Sequence, residues 1–84
     1  MKELRWSKEK NQELKQKRNI TFEQLTNSTF IGIEEHPKRP NQYLMLFEFK
    51  GYIWVVPFVV DADHFFLKTA FPDRKLTKKY LGGK

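Results

Sequence analysis

The spacing of apolar residues changes character along the chain, first helical and then alternating. From Lys8 to about Arg18 the residues are mostly charged, and only Trp6 and Leu14, eight positions apart, offer apolar anchors on one face. Ser7 stands where an N-cap belongs, Glu9 lies in the first turn, and Glu13 to Lys17 is a correctly ordered i,i+4 pair. A helix lying on the surface of a core follows. Thr21-Phe22-Glu23-Gln24 reads as a capping box that opens a second, shorter helix. It presents Phe22, Leu25 and Thr26 on one face and ends at Asn27-Ser28.

At Thr29 the period becomes two. Thr29 to Glu34 predicts a short strand. Glu35 to Gln42 then forms a loop marked by Pro37, Pro40 and the adjacent cations Lys38 and Arg39. Tyr43 to Phe49 is a second strand with Tyr43, Met45, Phe47 and Phe49 on one face. Lys50-Gly51 is a tight hairpin, and Tyr52 to Asp61 is a third strand that is apolar on both faces. Strands of that kind are covered on both sides, which here implies helices on one face and a partner on the other. Pro57 should interrupt the ladder with a bulge or an unpaired edge. Ala62-Asp63-His64 turns the chain into a fourth strand from Phe65 to Phe71, closed by Pro72-Asp73. A short basic helix or tail follows over Arg74 to Leu81, ahead of a flexible Gly82-Gly83-Lys84 end.

The predicted fold class is α+β: two N-terminal helices, a four-stranded antiparallel sheet with helices on one face, and a short basic C-terminal helix or tail. The 84 residues are expected to form one domain, residues 1–84, without repeats or linkers. A chain of this length buries only about 60% of its unfolded surface. Eight Phe, two Trp and three Tyr supply the core material, and Trp6 and Trp54 are expected in that core.

Charge changes the picture. The net +6 is polarised: residues 1–18 carry seven Lys/Arg against three Glu, residues 19–67 three against six acids, and residues 68–84 six against one Asp. Two basic ends around a slightly acidic aromatic centre suit a polyanion. The absence of cysteine removes disulfides, thiolate metal sites and cysteine nucleophiles, and fits a reducing compartment. The longest apolar run, Ile53 to Val60, is a strand's length and contains Pro57. With an N-terminus that lacks a signal-peptide run, the expectation is a cytoplasmic protein with no membrane partner.

Several chemistries are struck out. Gly32, Gly51, Gly82 and Gly83 have no phosphate-loop spacing. His36 and His64 are separated by the sheet and lack the spacing of metal ligands, so no metal and no cofactor is expected. What remains is a cationic cluster of Lys68, Arg74, Lys75, Lys78 and Lys79, with Tyr80 beside it. Such groups can cleave RNA without a metal: a base takes the 2′-hydroxyl proton, the oxygen attacks the adjacent phosphate, cations stabilise the added charge, and an acid protonates the leaving 5′ oxygen. Lys68 and Arg74 would grip the phosphate, Arg through its planar fork. Lys78, Lys79 or Tyr80 would assist proton transfer, with His36 a further base candidate. Lys38 and Arg39 join Lys68, Arg74, Lys75, Lys78 and Lys79 as the expected nucleic-acid contacts. The plainer account makes Lys68 an edge-strand lysine, Arg74 a partner of Asp73, Lys75, Lys78 and Lys79 a solvated helix face, and Tyr80 a lid on the core.

Arg5-Trp6-Ser7-Lys8-Glu9-Lys10-Asn11, then Arg18-Asn19-Ile20-Thr21-Phe22-Glu23, and finally Arg74-Lys75-Leu76-Thr77-Lys78-Lys79-Tyr80 resemble, in order and spacing, the terminal patterns of BrnT-type toxins. Leu76 departs from the family's usual alanine, and His36 to Gln42 replaces a differently polar loop. The resemblance implies a RelE/ParE-like fold and a bacterial, metal-independent messenger-RNA endonuclease. It also implies an antitoxin partner, typically ribbon-helix-helix, that contacts operator DNA only as part of the complex. A homodimer or a heterotetramer with the antitoxin is compatible with it. The rival functions are a nonenzymatic nucleic-acid binder that stacks bases on sheet aromatics, and an interaction module that docks through its apolar strands.

Overall fold

The computed structural model describes residues 3–82, so the expected flexibility of Gly83 and Lys84 falls outside the described residues. The elements are β1 (Glu3–Trp6), α1 (Lys8–Arg18), α2 (Phe22–Thr26), β2 (Thr29–Glu35), β3 (Gln42–Phe49), β4 (Tyr52–Asp61), β5 (His64–Leu67), β6 (Phe71–Pro72) and α3 (Arg74–Leu81). The sheet order is β1-β5-β4-β3-β2, with β6 continuing alongside β4 after β5 ends. Pairing is antiparallel except for β1, which lies parallel to β5. The expected four-stranded antiparallel sheet is therefore a mixed sheet with two additional short strands. One of them, β1, holds Trp6, which belongs to the sheet and not to the helix face assigned to it with Leu14. The other arises because the predicted Phe65–Phe71 strand breaks in two at Lys68 to Ala70.

Local chemistry explains the helices. Ser7 accepts from the Lys10 amide, and α1 ends at Asn19 in a left-handed turn at φ 57°. Thr21 and Gln24 form the capping box of α2. Asn11 joins the two helices: its carbonyl accepts from the Phe22 amide and its amide donates to Glu23, both at 2.8 Å. That bond, followed by the helix-terminal backbone, holds the Glu23 carboxyl below its ordinary pKa.

Alternation sends the two sides of the sheet to different coverings. Met45, Phe47, Val56, Phe58 and Leu67 pack with Leu14, Ile20, Phe22 and Leu25 beneath α1 and α2. Trp6 lies against this core, its ring centroid 5.5 Å from that of Phe22. On the other face Leu46, Ile53 and Val55 form a smaller cluster with Leu76 and Leu81 of α3. Helices thus occupy both faces rather than one, and part of the covering expected from a partner comes from the chain's own C-terminal helix.

Pro57 leaves the β3–β4 register unbroken, opposite Leu44. In an antiparallel strand the N–H and C=O of one residue point to the same side. The Pro57 carbonyl accepts from the Lys68 amide at 2.8 Å, so the missing N–H faces the gap where β5 gives way to β6. The irregularity falls instead in β2, between Phe30 and Gly32. The hairpin at Lys50-Gly51 has positive φ at both residues, 53° and 78°, as a type I′ turn requires.

Candidate functional site

α3 begins against the first half of β4. Asp73 caps it by accepting from the Leu76 amide, and its own amide donates to the Ile53 carbonyl, both at 2.9 Å. The Ile53 amide donates to Thr77 Oγ1 at 2.9 Å, and that hydroxyl donates to the Asp73 carbonyl at 2.6 Å. Both edge-facing backbone groups of Ile53 are therefore satisfied by the first turn of α3. Asp73 is committed to this cap and makes no ion pair with Arg74.

At its far end α3 reaches the edge strand. The Tyr80 hydroxyl donates to Glu34 on β2 at 2.8 Å, and this bond, ahead of desolvation, raises the pKa of the phenol. Tyr80 is 39% exposed, so it is a strut between helix and strand and not a lid on the core. Arg74, Lys75, Lys78 and Lys79 are exposed, and none of them forms an ion pair with another described residue. Lys79 lies 5.3 Å from the Tyr80 ring centroid.

Lys68 follows the last residue of β5, its amide still paired to Pro57. Leu67 is buried on the α1–α2 side, so alternation directs the exposed Lys68 side chain to the α3 side. The helix α1 closes the same region from the other face. Its Lys10, Glu13, Leu14, Lys17 and Arg18 share a cleft of about 180 Å3 with Thr69 and Ala70, Lys10 lying 3.9 Å from Glu13, and Arg18 shares a second with Pro72. The two basic ends of the sequence meet along the segment from Lys68 to Arg74. Sequence reading did not place Lys10, Lys17 and Arg18 there, because α1 shows only charged-helix periodicity.

The β2–β3 loop sits toward the opposite end of the sheet. His36 Nδ1 accepts from the backbone amides of Lys38 and Arg39, each at 3.1 Å, so its proton is carried on Nε2. This ring holds the loop in shape and offers a donor, not a free lone pair, to solvent. Lys38 and Arg39 are exposed beside it. Glu34, where α3 ends, is two residues before His36, so the basic helix runs from the Lys68–Arg74 segment to this loop. His64 opens β5, its Nε2 3.5 Å from Asp61 Oδ2, eight residues or about 26 Å along β4 from the start of α3. Among the described residues no three His, Cys, Asp or Glu side chains gather as metal ligands would. No helix among them is long and apolar enough to cross a membrane.

A mixed sheet, two helices on one face and a third on the other make a small α+β architecture, with cations of α1 and of the Lys68–Arg74 segment along one margin. The chain is similar in fold to the crystal structure of the Brucella abortus ribonuclease toxin BrnT, solved at 1.1 Å. The match has a TM-score of 0.56 at 18% sequence identity, over 87% of this chain and 97% of that one. No protein-family model matches the chain, and no curated protein matches it in sequence.

Proposed function

We propose that the protein is the toxin of a toxin–antitoxin pair and acts as a metal-independent endoribonuclease. The observation that carries this reading is the shared fold with a ribonuclease toxin over nearly the whole of both chains. The approach of α1 cations to the Lys68–Arg74 segment, from which α3 carries Lys75, Lys78 and Lys79 toward β2, supports it.

In this reading Lys68 and Arg74 hold the scissile phosphate and neutralise charge that develops as the 2′ oxygen attacks. Proton transfer falls to Lys78, Lys79 and Tyr80. The bond to Glu34 raises the pKa of the Tyr80 phenol and keeps it protonated, so Tyr80 would act as an acid and not a base, and only after its single O–H turns from Glu34 to the departing 5′ oxygen. Lys38, Arg39 and Lys75 extend the track for the RNA backbone. His36 takes no part, since two amides occupy its Nδ1.

An antitoxin partner belongs to the proposal. Phe30, Ile33 and Val60 are each more than 40% exposed, and Ile33 and Val60 border an apolar groove with Tyr43, Phe58 and Phe65 beyond the reach of α1 and α2. The test is incubation of the purified chain with RNA in chelator. Cleavage that persists and leaves 2′,3′-cyclic phosphate ends is expected, slowed by about 100-fold in Lys68→Ala or Arg74→Ala. A folded protein that cuts no RNA, or a double variant that cuts as fast as the parent, overturns the reading.

A further inference from the structure

A concavity lies on the α1–α2 face, at the end of the sheet where α1 ends. The left-handed turn at Asn19 ends the helix before it reaches the β3–β4 hairpin. The last residues of that hairpin therefore stay uncovered. Register sets Phe49 opposite Tyr52 and Phe47 opposite Trp54, so alternation puts Phe49, Tyr52 and Trp54 on this one face. With Ile20 and Pro72 they wall a pocket of about 380 Å3, at the small end of the roughly 300–1,000 Å3 usual for ligand sites.

Three properties point to the occupant. The lining is mostly apolar and carries three aromatic rings, and neither Tyr52 nor Trp54 stacks on another described ring. The Trp54 indole N–H and the Tyr52 hydroxyl make no hydrogen bond to a described residue, so both are free to meet a ligand's polar edge. Arg18 and Lys50 stand at the rim without an acidic partner, Lys50 already 5.3 Å from the Phe49 ring centroid. Open π-faces, unspent donors and two cations are what a nucleotide needs: a ring to stack, an edge to hydrogen-bond and a phosphate to neutralise. An aliphatic or acidic protein segment would use only one part of this set.

We infer that this pocket receives one unstacked RNA base, stacked among Tyr52, Trp54 and Phe49, with Arg18 and Lys50 on its flanking phosphates. Pro72 lines the pocket and Arg74 follows two residues later. A base held here anchors the strand on the α1–α2 face, from which the backbone would pass the Pro72 edge to reach Arg74 and Lys68 on the α3 side, so the pocket sets which nucleotide is presented to them. The inference deepens the nuclease reading and rests on it for the identity of the nucleic acid.

Hexanucleotides of 2′-O-methyl adenosine or uridine bind without offering a reactive 2′-hydroxyl, which separates binding from cleavage. Their titration into the full chain is followed through the two indole N–H resonances, assigned with Trp6→Phe. The Trp54 signal is expected to move with the hexanucleotide and with adenosine 5′-monophosphate, and not with ribose 5-phosphate, which lacks a base. The double variant Arg18→Ala/Lys50→Ala should bind the hexanucleotide about tenfold more weakly at an unchanged thermal midpoint, since both side chains are exposed. A Trp54 signal unmoved at saturation, one that responds equally to ribose 5-phosphate, or a double variant with parental affinity overturns the pocket. A chain that passes these tests and cuts no RNA keeps the pocket and loses the nuclease. A chain that cuts RNA with Trp54 unmoved does the reverse.

Discussion

The two faces of the sheet are built to different standards. Beneath α1 and α2, Phe22, Leu25, Met45, Val56 and Leu67 are wholly excluded from solvent, and capping bonds and Asn11 tie the helices to each other. Beneath α3 only Leu46, Ile53 and Val55 are buried, and no residue of α3 itself is. That helix depends on a cluster of hydrogen bonds at Asp73 and Thr77 and one at Tyr80. Elements with little burial open most readily. The proposed phosphate chemistry thus sits on the less rigid side, supported by a face that carries the folding energy.

The comparison is broken most directly at Phe22. Phe22→Ala removes a fully buried ring and should cost about 3–5 kcal/mol, seen as a lower urea midpoint. A loss below about 1 kcal/mol would mean the helical face is not the main core. Next in size, Arg74→Ala should cut the cleavage rate by about 100-fold, or about 2.7 kcal/mol of barrier, with the urea midpoint unmoved. A matching drop in stability would make Arg74 structural.

Thr77→Val strands the Ile53 amide and should cost about 1–3 kcal/mol. Hydrogen exchange should quicken at Ile53 and through α3 while Met45 and Val56 keep their protection. Equal quickening on both faces would show that they open as one unit.

The two pH effects are smaller. The phenol of Tyr80 has its pKa raised in the folded chain, so its bond to Glu34 contributes fully below about pH 10 and fades as pH rises through the folded value. Exchange in the last turn of α3 should therefore accelerate in strong alkali in the parent and show no such step in Tyr80→Phe. The carboxyl of Glu23 has its pKa lowered. Its contribution is present above pH 4.5, its unfolded value, and is lost as pH falls through the folded one. Asn11→Ala should flatten that slight acid dependence of the urea midpoint.

Much of the local structure was legible because it is dictated by neighbours in the chain. Ser7, the Thr21-Gln24 box and Lys50-Gly51 each satisfy or shape backbone within a few residues, and they mark the expected helix starts and hairpin. β1 carried a short signal, Leu4 and Trp6 alternating with Glu3 and Arg5, too brief to outweigh the helix behind it. Its parallel partner β5 lies some sixty residues away, and no local pattern encodes such pairing. Pro57 misled for a related reason: a missing N–H matters only on the side where a neighbour needs it, and that side is set by the register.

The candidate cations divide in the same way. Their residue types and polarisation to the two ends are properties of the chain, as is the alternation that makes the central strands apolar on both faces. The meeting of Arg18 with Pro72, of α1 with Thr69 and Ala70, and of Tyr80 with Glu34 belongs to the tertiary structure. So does the placement of α3 opposite α1 and α2. Local sequence sets hydrogen-bond caps, turns and the face each side chain takes, because these act over a few residues. Which faces meet is decided only when the whole sheet closes and each apolar surface finds its covering.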